Sequence, residues 1–494
     1  MAKKRNGFGN FTKASRDLGM LVAEQDKNLG LYYVGREQYL DRALDINDPI
    51  IFFMGPKGIG KSAILQMVRL ERQRDEKRII DIAPDDLAFS AFANVKMESP
   101  LLTDALRGQW LFKSLWDYVL LMEIWERENP DAKSRFEQFK SLFVRTEDEK
   151  RIQKLFQITV TDTGNTLTFT DRIMQLVREV ELSAQIGSTN IKGKVGIEHP
   201  SSSRFELLAE VNHAIKTLPG LLKHQYYILI DDLDLHWQNE PNQNAFISSL
   251  FLSLRKLARP PLKFLVSIRN DIYNCLPLAD KDKSRDRLCD VEWNLLFIKE
   301  MIEKRLIAAL DCSQKDVWGN VFPQNGFETL AKHSTKKPRE FIRMTSLCLA
   351  RAATNGHRRV HDDDISEAIR TYSAERAQDL VSDLRYTYPK LDVVIENFRG
   401  KSKEFPFKTI DELTTKLALE ALERQDAPWF WAGQFDERAG DFAELLADIG
   451  FLQVKENRTA VPKPYDREKM GRINCDIWLS VHPMYAPGLD LLGA

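Results

Sequence analysis

Pro49-Ile-Ile-Phe-Phe-Met54 runs straight into Gly55-Pro-Lys-Gly-Ile-Gly-Lys-Ser62, and Ala63 to Arg78 then sets Ile64, Leu65 and Val68 on one face with charges on the other. A short unbroken apolar run is the pattern of a strand buried on both faces of a parallel sheet. The loop is a complete G-x-x-x-x-G-K-S/T match. Strand, glycine loop and amphipathic helix follow one another in the order that this motif requires. A chance glycine-rich turn would not bring both flanks with it. The stretch therefore predicts an α/β fold built on a parallel sheet, with a phosphate cradle at the end of its first strand.

Each position in the loop has a chemical reason. Gly55, Gly58 and Gly60 allow a tight turn whose consecutive N–H groups point at phosphate oxygens, with Pro56, Lys57 and Ile59 carried between them. The positive end of the following helix adds to that attraction. Lys61 can reach the β- and γ-phosphates, and the Ser62 hydroxyl can ligate Mg²⁺. ATP and Mg²⁺ are thus the expected ligand and cofactor.

A phosphate cradle calls for an acidic strand end to hold the magnesium. Gln225-Tyr-Tyr-Ile-Leu-Ile-Asp-Asp-Leu-Asp234 supplies one: Asp231 follows a strand over Tyr226–Ile230 and suits the metal, and Asp232 can orient the attacking water. The competing reading is that Asp231, Asp232 and Asp234 cap the next helix, and this suits Asp234 at least as well. Leu262-Lys-Phe-Leu-Val-Ser-Ile-Arg-Asn-Asp271 is a further buried strand with a polar end. The carboxyl ends of parallel strands open onto the ligand crevice, so Ser267, Arg269 and Asn270 are candidates for sensing the γ-phosphate. A purely structural salt bridge from Arg269 is the alternative.

The bulk values exclude several classes. The 494 residues are too many for one ordinary core, and 43% hydrophobic with 29% charged residues is ordinary for a soluble globular chain. A formal net charge of −1 offers no global basic excess to announce nucleic acid. The five cysteines are scattered, without CxxC spacing, so neither a disulfide framework nor a zinc site is indicated. The basic start Met-Ala-Lys-Lys-Arg is not followed by an apolar segment, and no run approaches a membrane span. A cytoplasmic protein with reduced thiols and no membrane partner is expected.

Tyr33-Val-Gly-Arg-Glu37, ahead of the P-loop, resembles the "GRE" entry motif of STAND signalling ATPases and of initiator-type AAA+ proteins. The hydrophobic-Asp-Asp ending at Asp231 resembles the same group. Thr335-Lys-Lys-Pro-Arg-Glu340 is similar to its "P-R" sensor 2 element, and Val360-His-Asp-Asp-Asp-Ile365 to its last lid helix. The resemblance covers roughly Gly30 to Arg370. It implies an ASCE-class P-loop core of AAA+/STAND-like type with a helical lid, in which Arg339 would touch the γ-phosphate. With the His482-Pro483 segment, the closest likeness is to bacterial P-loop ATPases, several of which serve antiviral defence. Ring-forming relatives insert an arginine finger from a neighbouring subunit. Arg285 and Arg287, in a charged run that usually marks solvated surface, are the candidates, so a homo-oligomer stays open.

The expected organisation is an N-terminal segment over 1–48, a core over 49–280, a lid over 281–375 and a winged-helix domain over 376–494. About 140 residues separate the strand at Arg78–Ile82 from Tyr226, and a helical insertion near 100–215 fills them. Its Trp110, Trp116 and Trp125 read as core, and Asn190–Ile197 as an exposed hairpin for a partner or sensor, or a plain surface loop. Gly400–Glu404 reads as a linker. Beyond it, helices over Ile410–Arg424 and Asp436–Ile449 precede strands at Phe451–Lys455 and Cys475–Val481. From Gly400 onward there are 12 Lys+Arg and 16 Asp+Glu, and Asp441, Glu444 and Asp448 lie on the second helix, which speaks against DNA. The cations Arg458, Lys463, Arg467, Lys469 and Arg472 leave a backbone contact open. The expectation is an ATP-driven switch acting on a protein effector or sensor. The alternative is an initiator-like DNA-loading ATPase, and a small-molecule kinase lacks an evident acceptor pocket.

Overall fold

A computed structural model describes residues 11–72, 78–82, 105–128, 202–235, 237, 239–278, 281–313, 317–385, 387–423 and 429–493. They belong to two compact units, Gly35–Glu292 on one hand and Met1–Val34 with Trp293–Ala494 on the other. The chain therefore crosses between units at 34/35 and 292/293 rather than at 48/49 and 280/281. Helix α1 (Phe11–Asp17) belongs to the second unit, where the Ser346 hydroxyl donates to the Ser15 carbonyl at 2.7 Å.

The first unit holds β1 (Phe52–Met54), α2 (Lys61–Glu71), β2 (Ile79–Ile82), α3 (Ala105–Glu128), α4 (Ser202–Leu221), β3 (Tyr226–Ile230), α5 (Pro241–Leu257), β4 (Leu262–Ile268), α6 (Asn270–Cys275) and β5 (Leu288–Asp290). The strands form one parallel sheet in the order β2-β3-β4-β1-β5. Every residue of β1, β3 and β4 is buried, which is why these strands are continuous apolar runs in the sequence. Strand β5 pairs with β1 at the sheet edge, so residues 288–290 complete this sheet instead of belonging to a lid. Of the charged run, Lys281–Arg287 forms a 3-10 turn in which the exposed Arg285 pairs with Asp282 at 2.9 Å.

Helices α3, α4 and α5 pack together against the sheet. The Trp116 ring stacks on Phe246 of α5 at 4.7 Å and its indole N–H donates to the Phe246 carbonyl at 3.0 Å. Trp125 is buried in the same core. The Trp110 side chain and the Asn190–Ile197 stretch lie outside the described residues. No helix among the described residues is long and apolar enough to cross a membrane.

The second unit continues with α7 (Leu295–Leu310), α8 (Gly326–Lys332), α9 (Pro338–Thr354), α10 (Asp362–Asp383), β6 (Glu404–Pro406), α11 (Lys408–Glu423), α12 (Ala439–Asp448), β7 (Leu452–Lys455) and β8 (Trp478–Val481). The three strands make an antiparallel sheet in the order β6-β8-β7. One apolar core runs from Phe11 through Ile302, Phe341 and Ile369 to Phe442 and Leu479. Helix α10 passes through 375/376 without a break, so the expected lid and C-terminal domain share a core. The lysine-rich Gly400–Glu404 stretch is bonded structure rather than a linker. Its Gly400 and Lys403 amides donate to Leu489 and Leu492 at 3.0 Å each, and Glu404 begins β6. Here the backbone hydrogen bonds, which composition does not reveal, decide the conformation.

Candidate nucleotide site

The site grows from the carboxyl edge of the parallel sheet. Register pairs Met54 with Ile268 and Ile230 with Val266, so the residues that follow β1, β3 and β4 emerge on one edge. After β1 the backbone turns at Gly55, with φ +154°, where an added Cβ would sit 2.8 Å from the Ile59 side chain. Gly60 caps α2 at φ +102°, a left-handed conformation that a side chain would strain. The loop then feeds Lys61 and Ser62 as the first residues of α2, whose first N–H groups lack intrahelical acceptors.

Lys61 folds back over its own loop. Its ammonium donates to the Gly55 carbonyl at 2.9 Å and to the Pro56 carbonyl at 3.1 Å. Only 8% of the residue is exposed. Burial pushes its pKa down to about 8, against the opposing pull of Asp234 and Asp231. Ser62 is half-buried beside it.

Asp231 is buried at the end of β3, and its carboxylate accepts from the Asp232 amide at 3.0 Å. Asp232, at φ +57°, is exposed just past the strand end. Asp234 does not act as a simple helix cap: its carboxylate lies 3.6 Å from the Arg269 guanidinium. Arg269 also grips Asp271 through two contacts, at 3.0 and 2.5 Å. Beside it, the buried Asn270 Oδ1 has no hydrogen-bond partner among the described residues. Lys61, Asp231, Asp234, Arg269 and Asp271 thus share one electrostatic neighbourhood. Asp271 is not among the residues that the sequence marks. Its only signal is an acid two residues beyond an arginine at a strand end.

The GRE segment packs against α2. Gly35 turns at φ +92°, and Arg36 then bridges Glu71 of α2 at 2.7 Å and Asp41 at 3.4 Å. Arg339 belongs to the second unit, exposed in the first turn of α9. Its neighbour Glu340 is buried and accepts from the Thr335 amide and hydroxyl, both at 2.6 Å.

Another polar group comes together at the start of α10, where His357, His361 and Asp364 have ligand atoms within 4.8 Å of one another. The fully buried Asp364 carboxylate accepts from Asn355, His357 and the His361 amide, and the His361 side chain accepts from the Asp364 amide. These lone pairs are committed to a helix cap, so a metal ion does not fit them as they stand. Asp231 and Ser62, by contrast, are an oxygen-donor pair suited to Mg²⁺.

A family model described as the FunZ-associated C-terminal helical domain matches residues 297–381, from within α7 to within α10. Across 98% of this chain and 68% of the relative, the sequence is 22% identical to the 80.3 kDa protein assigned to transposon gamma-delta in Escherichia coli (strain K12). Among solved structures, the Orc1 protein of Aeropyrum pernix in complex with DNA aligns with a TM-score of 0.38 and 12% identity, covering 95% of this chain and 96% of that one. The RuvB Holliday junction branch migration motor of Thermotoga maritima aligns with a TM-score of 0.32 and 12% identity, covering 87% and 90%. Likenesses at TM-scores this low carry no functional conclusion.

Proposed function

We propose that this chain binds and hydrolyses ATP as a molecular switch. The observation that carries the reading is the meeting of Lys61, Asp231 and Arg269 on one sheet edge, with β4 set between the P-loop strand and the acidic strand. That order supports the ASCE class that the sequence resemblance implies. The Gly55–Ser62 backbone and Lys61 bind the phosphates, and Ser62 and Asp231 hold Mg²⁺, which neutralises charge developing on the transferred phosphoryl. Asp232 orients the attacking water and accepts its proton, while Arg269 and Asn270 read the γ-phosphate.

The finer assignment is an AAA+/STAND-like switch, with Arg339 as the sensor 2 residue that the sequence resemblance implies. The helices α11 and α12 with the β6-β8-β7 sheet act as a winged-helix module for a protein effector. The biological setting is bacterial signalling or antiviral defence, and the transposon-borne relative is compatible with a mobile-element context. Binding of Mg-ATP to wild type and to Lys61→Ala is the test. Equal affinity of the two would sink the assignment.

The DNA-loading alternative is weaker because four of the five wing cations are already engaged. Lys463 pairs with Glu456 at 3.3 Å, Arg467 with Glu444 at 3.7 Å and Lys469 with Asp466 at 2.8 Å, while Arg458 lies over Trp478. A phosphate backbone would have to compete with these carboxylates. DNA-stimulated turnover that collapses with salt would favour the alternative instead.

A further inference from the structure

We infer that Asp271, assisted by Asp234, latches Arg269, and that the third phosphate of ATP is what draws the arginine off. The inference rests on the reading of Gly55–Ser62 as an ATP site. Arg269 leaves the end of β4, where that reading expects the γ-phosphate. Its Nε donates to Asp271 Oδ1 at 3.0 Å and its Nη2 to Oδ2 at 2.5 Å, a bidentate fork. The remaining Nη1 lies 3.6 Å from Asp234 Oδ2. Two carboxylates, one from the turn after β3 and one from the first turn of α6, therefore engage the guanidinium.

The charge balance makes the latch consequential. Two cations, Lys61 and Arg269, stand among the carboxylates of Asp231, Asp234 and Asp271. A ligand that recruits Arg269 must compete with the carboxylates that already hold it. ATP, whose γ-phosphate reaches the strand end, meets that competition. ADP, which stops at the phosphate over Lys61, does not. Asp271 is thus a positioning residue that sets how strongly the site prefers ATP to ADP.

The test is a double-mutant cycle on the full chain, with dissociation constants for Mg-ATP and Mg-ADP measured on wild type, Asp271→Asn, Arg269→Ala and the double variant. The latch predicts that Asp271→Asn tightens ATP about fivefold and leaves ADP unchanged, the size of a part-exposed charge pair. Arg269→Ala weakens ATP alone, and adding Asp271→Asn to it has no further effect. Asp234→Asn shifts ATP in the same direction by a smaller factor, and provides the readout if the Asp271 variant does not fold. Equal tightening of ATP and ADP would reduce the effect to simple repulsion and overturn the latch. So would an Asp271 effect that persists without Arg269, or unchanged ATP affinity. A wild-type chain that binds neither nucleotide overturns the ATP-site reading and the latch together; nucleotide binding without the cycle overturns the latch alone.

Discussion

The Lys61 ammonium donates to the Gly55 carbonyl at 2.9 Å, so the P-loop lysine is satisfied within the loop it closes. On the proposed ATP reading, phosphate displaces that bond at a lysine whose charge burial has made less favourable.

This gives nucleotide binding a defined pH dependence. Burial holds Lys61 down at about 8, and contact with phosphate stabilises the ammonium and raises its pKa in the complex. Below about pH 8 the free protein already carries the charge, so affinity is flat. Above it, binding must take up a proton and the Mg-ATP dissociation constant rises, by up to about tenfold per pH unit. Calorimetry in buffers of different ionisation enthalpy should detect proton uptake at pH 9 and little at pH 7. A dissociation constant that stays level from pH 7 to 9.5 would remove the argument.

The second unit contains a buried ion pair of a different kind. Arg305 donates to the Leu18 carbonyl at 2.9 Å and to Asp26 at 3.0 Å, lies over the Tyr32 ring at 3.9 Å, and is 3% exposed. Asp26→Asn leaves that guanidinium buried without its counter-charge and should cost about 3–5 kcal/mol. Chemical denaturation followed by a probe in this unit measures it. A loss below about 1 kcal/mol would mean that water or another group reaches Arg305.

Near the C-terminus, Gly488 approaches α10 too closely for any side chain. An added Cβ would lie 2.7 Å from the Ala374 nitrogen and 2.8 Å from the Ser373 carbonyl carbon, both backbone atoms. Gly488→Ala should therefore destabilise the second unit by about 1–3 kcal/mol while leaving Mg-ATP affinity unchanged. A melting temperature equal to wild type would show that the segment shifts freely.

Legibility in the sequence followed burial. Strands β1, β3 and β4 were visible because burial on both faces demands unbroken apolar runs, and the P-loop because its chemistry fixes residue types at fixed spacing. Strand β5 gives no such signal: Leu288-Cys-Asp290 is three residues at a sheet edge, behind a charged run, with only Cys289 buried. The helix expected to reach Arg78 ends at Glu71, where the Arg72 amide closes the last turn on Val68. The Arg305–Asp26 pair joins residues 279 positions apart, and no local pattern announces it. Asp234 stays open between a cap and a site residue in the sequence because its partner, Arg269, arrives from a different strand. The shared core of the second unit was hidden for a similar reason, since Gly400–Glu404 is polar in composition but paired through its backbone.

The account turns on Asp231 and Asp232 dividing metal binding from hydrolysis at the end of β3. Steady-state ATP hydrolysis by Asp232→Ala, measured with its Mg-ATP affinity, tests this most directly. The expected result is affinity within about threefold of wild type and turnover reduced about 10²-fold or more, the loss typical of a missing general base. Hydrolysis by Asp232→Ala at the wild-type rate would contradict the account.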